Sequence, residues 1–212
     1  MSVPIFRLHD GLAAAARLPR ISTVSDRVSI AELALLFLCG IVAATAQAYV
    51  RLRLGIPGHA IVLSVVPMAL GLALAPRRMA GSVMSAGAFT TAACLTAFAG
   101  ARYGGGAFTS LCLIGPMMDV ALAGARRGWR LYLALVLAGI GANFCALVSR
   151  TGGKLFGFDL PGARPFGSWW AQALLTYTLS GAVAGLLGAL CWFQFRAGRN
   201  RADTVSHAEH AR

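Results

Sequence analysis

The sequence predicts an all-α integral membrane protein, a bundle of six transmembrane helices with both the N-terminus and the C-terminus in the cytoplasm. Three observations predict it. Of the 212 residues, 58% are hydrophobic and only 12% are charged, whereas a soluble domain carries about 25% charged residues; the mean hydropathy is +0.70. The apolar residues fall in continuous runs, which selects membrane helices over the alternating pattern of barrel strands. The cations are divided unevenly between alternate connections, as they are when positive charge is retained on the cytoplasmic side.

The elements follow in order. Residues 1–29 form a polar cytoplasmic segment in which Asp10 and several Arg interrupt any apolar core, so it does not read as a signal peptide. Six apolar runs then cover 30–50, 57–75, 79–99, 106–124, 131–149 and 169–195. Each is close to the ~20 residues that cross a bilayer, and the last is long enough to cross with tilt. Pro67 and Pro116 fall inside the second and fourth runs, where each removes a helical hydrogen bond; Gly115-Pro116 marks the sharper bend. Residues 150–168 are the longest connection, rich in Gly and Pro, and are expected to act as a connector or as a lid. Residues 196–212 are expected to form a basic cytoplasmic tail, which leaves 30–195 as the transmembrane domain and no soluble domain.

The net charge of +12 arises from 19 Lys and Arg against 7 Asp and Glu. With the N-terminus inside, thirteen cations lie on the cytoplasmic side and six on the outer side, with Arg51, Arg53, Arg102, Arg150, Lys154 and Arg164 forming the outer set. The excess is therefore an orientation signal, and a nucleic-acid partner is not needed to explain it. Small residues recur every four positions: Gly40, Ala44 and Ala48 in the first run, Ala134 to Ala146 in the fifth, and Gly181, Gly185 and Ala189 in the sixth. That spacing lines one helix face and lets backbones approach.

The intramembrane polar residues separate by depth. Glu32 and Asp119 lie toward the cytoplasmic side, where a proton relay or a partner contact competes with the simpler expectation of pairing to Arg77, Arg78, Arg126 or Arg127. Neutral groups collect toward the outer side: Gln47, His59, Thr109, Ser110, Asn143, Gln172, Thr176 and Tyr177. Each alone is explained by capping, an interfacial position or an interhelical hydrogen bond. Their collective bias suits capture of a small polar ligand.

Several classes are excluded. No HExxH, GxxxxGK[ST] or GxSxG occurs, which removes zinc protease, P-loop ATPase and serine hydrolase readings. The five Cys are scattered one to an apolar run without a CxxC, so no metal, disulfide framework or cofactor is expected. An enzyme is not expected either, since the acids and the His stand at opposite ends.

Six helices of this length with both ends inside, Ile56-Pro57-Gly58-His59, the stretch from Met68 to Arg78, and Gly115-Pro116-Met117-Met118-Asp119 resemble the substrate-binding S components of energy-coupling-factor transporters. The resemblance spans roughly residues 30–195. It implies capture of a vitamin or related micronutrient from outside a bacterial inner membrane, a membrane T component as partner, and cytoplasmic ATPase subunits as the source of energy. It further implies that Gly40, Ala44 and Ala48 contact the T component, and that Asn143, Gln172, Thr176 and Tyr177, with His59, bind the substrate. The alternative is a structural or assembly protein of the membrane whose polar residues serve packing alone. A weaker third reading is a lipid enzyme using Glu32 and Asp119.

Overall fold

The structure, a computed structural model, describes residues 29–50, 58–75, 79–101, 103–124, 128–156 and 166–210. Among them it contains six helices and no strand: α1 (Ile30–Tyr49), α2 (Ala60–Leu74), α3 (Ala80–Phe98), α4 (Gly105–Gly124), α5 (Gly128–Leu155) and α6 (Phe166–His210). Five of these are long and apolar enough to cross a membrane; α2, with 15 residues, is a shorter apolar helix.

Each helix starts for a local reason. Ser29 caps α1, its Oγ accepting from Ala31 N at 3.3 Å, and Glu32 adds negative charge to the first turn. Met79 precedes α3 in the left-handed conformation (φ 64°) without a side-chain cap of its own. The cap comes from another helix, as described below.

Close contacts fix the packing directions. Gly58 lies against Tyr177 and Ser180, and Gly188 against Val65 and Ala69, so α2 and α6 run parallel. Gly81 meets Gly115 and Phe89 meets Phe108, which makes α3 and α4 antiparallel. Gly106 with Ala146, and Gly139 with Gly181, make α4–α5 and α5–α6 antiparallel as well. The helices close into a ring in the order α1, α2, α6, α5, α4, α3, and α2 leans inward far enough to touch α3 and α4 too. Accordingly α2 is apolar on nearly every side, and Leu74 is its one exposed large hydrophobic residue.

In lipid there is no hydrophobic gain in bringing two apolar helices together, so close backbone packing has to supply the attraction. Glycine makes that possible here. A Cβ on Gly40 would lie 2.1 Å from the Met84 carbonyl oxygen, and one on Gly185 would lie 2.3 Å from that of Leu135. Outside these seams the large apolar side chains face outward: Leu33, Leu38 and Val42 on α1, Leu137 and Val148 on α5, Leu175, Leu179 and Val183 on α6. Such an exterior is the surface of a membrane-embedded protein.

The ends of α5 and α6 differ from the sequence expectation. Residues 150–155 continue α5, and α6 begins at Phe166, so the expected 150–168 connection is shortened from both sides. Gly152 and Gly153 do not break α5, because Arg150 and Lys154 pack over Trp169 of α6 and hold the last turn in place. The rest of that connection, 157–165, and the segment 1–28 lie outside the described residues. Residues 196–210, expected as a tail, extend α6 as helix.

Candidate functional site

Two polar clusters stand at opposite ends of the bundle. The first is built around Asn143 of α5, which is 1% exposed. Its Nδ2 donates to the Tyr177 carbonyl at 2.8 Å and to the Gly58 carbonyl at 3.2 Å, while its Oδ1 accepts from the Ser110 hydroxyl at 3.4 Å. One side chain thus joins α4, α5, α6 and the entrance to α2. Gly58 is required there: its φ is +85°, and a Cβ would lie 3.1 Å from both Asn143 Nδ2 and the Tyr177 ring.

Tyr177 is buried, and its hydroxyl accepts from Arg150 Nη1 at 3.4 Å. Arg150 and Lys154 stand one turn apart on α5, 5.5 Å and 5.1 Å from the centre of the Trp169 indole. Two like charges at this spacing repel, and the electron-rich face of the indole offsets the repulsion. Because α2 is short, its neighbours project beyond it: α5 runs twelve residues past Asn143 and α6 begins eleven before Tyr177, ~16–18 Å at 1.5 Å per residue. The paired ends of α5 and α6 hold their own apolar cluster of Ala146, Leu147, Trp169, Ala173 and Tyr177.

The expected substrate-binding residues therefore divide. Asn143 and Tyr177 are joined in one network. Thr176 is half-buried and its hydroxyl donates to the Gln172 and Ala173 carbonyls of its own helix. Gln172 is exposed, and His59 is half-buried at the start of α2 without a side-chain capping bond. Of the expected partner contacts, Gly40 and Ala44 are buried inside the bundle, with Gly40 against α3, and Ala48 is half-buried.

The second cluster lies at the other end, between α3 and α4. Asp119 Oδ1 accepts from Gly81 N at 2.8 Å, and Oδ2 accepts from Ser82 N and Ser82 Oγ, both at 2.7 Å. The carboxylate of α4 thus caps the N-terminus of α3, where free amides and the helix dipole both favour an anion. The expected pairing of Asp119 with Arg77, Arg78, Arg126 or Arg127 involves residues outside the described ones or without described side chains. One turn further along, Ser85 Oγ donates to the Leu111 carbonyl at 2.9 Å and accepts from Gly115 N at 3.1 Å. It thus enters the backbone ladder of α4 just before Pro116.

Sequence reasoning passed over Ser82 and Ser85. The signal was the alternation of Gly81, Ser82 and Ser85 opposite Gly115, which only the pairing of α3 with α4 makes legible. Beside this end, Ala69, Leu72, Met118, Leu122, Leu135, Gly188 and Trp192 line a shallow apolar crevice with no room for a water molecule. Among the described residues no group of three His, Cys, Asp or Glu side chains could hold a metal ion.

No protein-family model, no curated protein and no solved structure matches the chain. The chemistry of the two ends is therefore what bears on function. At the other end the Asp119 carboxylate is engaged by two backbone amides and the Ser82 hydroxyl. The Asn143 end combines hydrogen-bonding groups, an indole and two cations on helices that project past their neighbours.

Proposed function

We propose that this chain is a substrate-capture subunit of an energy-coupling-factor type uptake transporter. It binds a small polar micronutrient at the Asn143 end, which faces outward. In this reading all six helices cross a bacterial inner membrane and both termini are cytoplasmic. A membrane T component and cytoplasmic ATPase subunits supply the energy, since the chain itself has no phosphate-binding loop. His59, Asn143, Gln172, Thr176 and Tyr177 surround the ligand; of the three small residues of α1, half-buried Ala48 is the one open to the T component, since Gly40 and Ala44 are buried inside the bundle; no catalysis is involved.

The observation that carries the reading is the string Arg150–Tyr177–Asn143–Gly58 beneath the projecting ends of α5 and α6. It gathers polar groups at the end of the bundle opposite Asp119. Co-expression with T and ATPase subunits of the energy-coupling-factor type, followed by affinity purification through this chain, tests it. A stable complex and a small molecule detected by native mass spectrometry are expected. Purification of the chain alone, with nothing bound, would remove the reading.

A second reading is favoured by a specific observation. Asn143 uses both of its amide hydrogens on backbone carbonyls of the same chain, as expected of a structural or assembly protein. Uptake measured for Gln172→Ala and His59→Ala variants with normal expression separates the two: loss of uptake supports capture, and no change supports assembly.

A further inference from the structure

Three polar features on α1 and α2 stand apart from both clusters. Among the described residues, Nε2 and Oε1 of Gln47 are enclosed without a hydrogen-bond partner, and so is the hydroxyl of Ser64, a residue 0% exposed. Among the described helical hydroxyls Ser64 shares this state with Thr151 of α5 alone. Thr45, Thr90, Thr91, Thr96, Thr109 and Thr178 each donate to a carbonyl one turn back on their own helix. The third feature is the carbonyl of Leu63, which receives no donor from position 67, because Pro67 has no N–H.

These groups lie at one depth and face one seam. A Cβ on Gly71 of α2 would touch Cys39 of α1 and Met84 of α3. Ser64 is seven residues before Gly71, so it lies on the same face of α2, toward α1 and α3. Gln47 is seven residues after Gly40, which faces Met84 and Ala88 of α3. It is eight residues beyond Cys39. Gly40 lies against Met84 and Ala88, and Tyr103, beyond the end of α3, reaches Ala44, so α1 runs with α3 and against α2, and Gln47 and Ser64 lie within about 2 Å of the same height. Tyr103 marks the same region, its hydroxyl donating to the Ala44 carbonyl at 2.9 Å.

An unmet amide and an unmet hydroxyl at one place cost free energy that an apolar pair would not. Buried polar groups are otherwise met almost everywhere in proteins. We infer that Gln47, Ser64 and the Leu63 carbonyl form a subsite for a neutral ligand edge carrying a donor beside an acceptor, a carboxamide, lactam or cyclic urea. Neutrality follows from the described surroundings: residues 43–50 of α1, 60–68 of α2 and 84–95 of α3 contain no charged side chain, so among the described residues a buried ionic ligand would lack a counter-charge there. The primary amide of Gln47 offers an N–H and a carbonyl side by side, which matches such an edge in both directions. The assignment rests on the capture reading and moves the polar contact for the ligand from the α5–α6 side of α2 to its α1–α3 side.

The test is a thermal-shift titration of the full chain in detergent micelles with nicotinamide, uracil and 2-imidazolidinone, and with nicotinate as a charged comparison. At least one neutral probe is expected to raise the melting temperature, and nicotinate is not. Gln47→Met and Ser64→Ala should abolish the shift or weaken the dissociation constant about tenfold or more, while melting as high as the parent or higher without probe. Thr178→Ala, at an exposed position of α6 outside both polar clusters, should retain the shift. A shift that survives both Gln47→Met and Ser64→Ala would overturn the subsite, as would a response to nicotinate alone. A small molecule that co-purifies equally with the parent and both variants would overturn it while leaving the capture reading intact. No shift from any probe and no co-purifying molecule would end both.

Discussion

Asp119 shows how far along the chain a residue's partners can lie. Its carboxylate meets the amides of Gly81 and Ser82, 38 and 37 positions earlier. Asp119→Ala is expected to cost about 1–3 kcal/mol, the penalty for leaving a helix N-terminus uncapped inside the protein. Asp119→Asn should cost less, since one oxygen still accepts. Unfolding in mixed micelles, followed by circular dichroism, compares the two, and equal stability for all three proteins would show that the cap is dispensable. Tyr103, just outside the helices, supplies a pH signature. Burial, and then the nearby Tyr49, raise its pKa above the usual 10. A raised folded pKa means that its contribution is complete below the unfolded value, about 10, and is lost as pH rises through the folded one. The melting temperature of Tyr103→Phe should therefore fall less between pH 9 and pH 11 than that of the parent.

At the scale of elements, the glycines divide into those that are packed and those that are not. On α6, a Cβ at Gly181 would lie 2.7 Å from the Gly139 carbonyl oxygen, whereas Gly152 near the end of α5 has nothing within 4 Å. Gly181→Val is expected to force α5 and α6 apart and to lower stability by several kcal/mol, as overpacking and lost backbone contact add. Gly152→Ala should stabilise by roughly 0.5–1 kcal/mol, because the helix there has room and glycine loses more entropy on folding. Unfolding transitions of both variants check this; the same sign for both would contradict the packing argument. The four-residue spacing of small residues announced these seams from sequence alone. Which seam each one serves depended on the partner helix, and for Gly40 that partner is α3.

For the whole molecule, the alternating directions of α1 to α6 allow both ends of the chain to lie on one side of the membrane. A C-terminal green fluorescent protein fusion should be fluorescent in bacteria, and an alkaline phosphatase fusion at the same place should be inactive. The reverse pattern would mean that the short helix α2 does not cross. The surface matters at this scale too. Leu137, Val148, Leu175 and Val183 are all exposed, so the bundle depends on lipid or detergent for solubility, whatever its partners are.

Hydrophobic run length and charge asymmetry determined, without any coordinates, that the chain is a helical membrane protein, and they located α1 to α4 to within a few residues. Both signals are local sums along the chain, so no neighbour is needed to read them. The ends of α5 and α6 were not legible in this way, because Gly152 and Gly153 read as a break until Trp169 is seen beneath Arg150 and Lys154. Asn143, His59 and Tyr177 could be named as polar and near one end from sequence, but whether a group is met or unmet depends on residues far away in the chain. Asn143 is met by Gly58, 85 positions earlier, while the polar side-chain atoms of Gln47 and Ser64 meet no partner among the described residues. Hydrogen bonding is short-ranged and directional, so only the tertiary structure could decide which polar groups the protein uses on itself and which it leaves open.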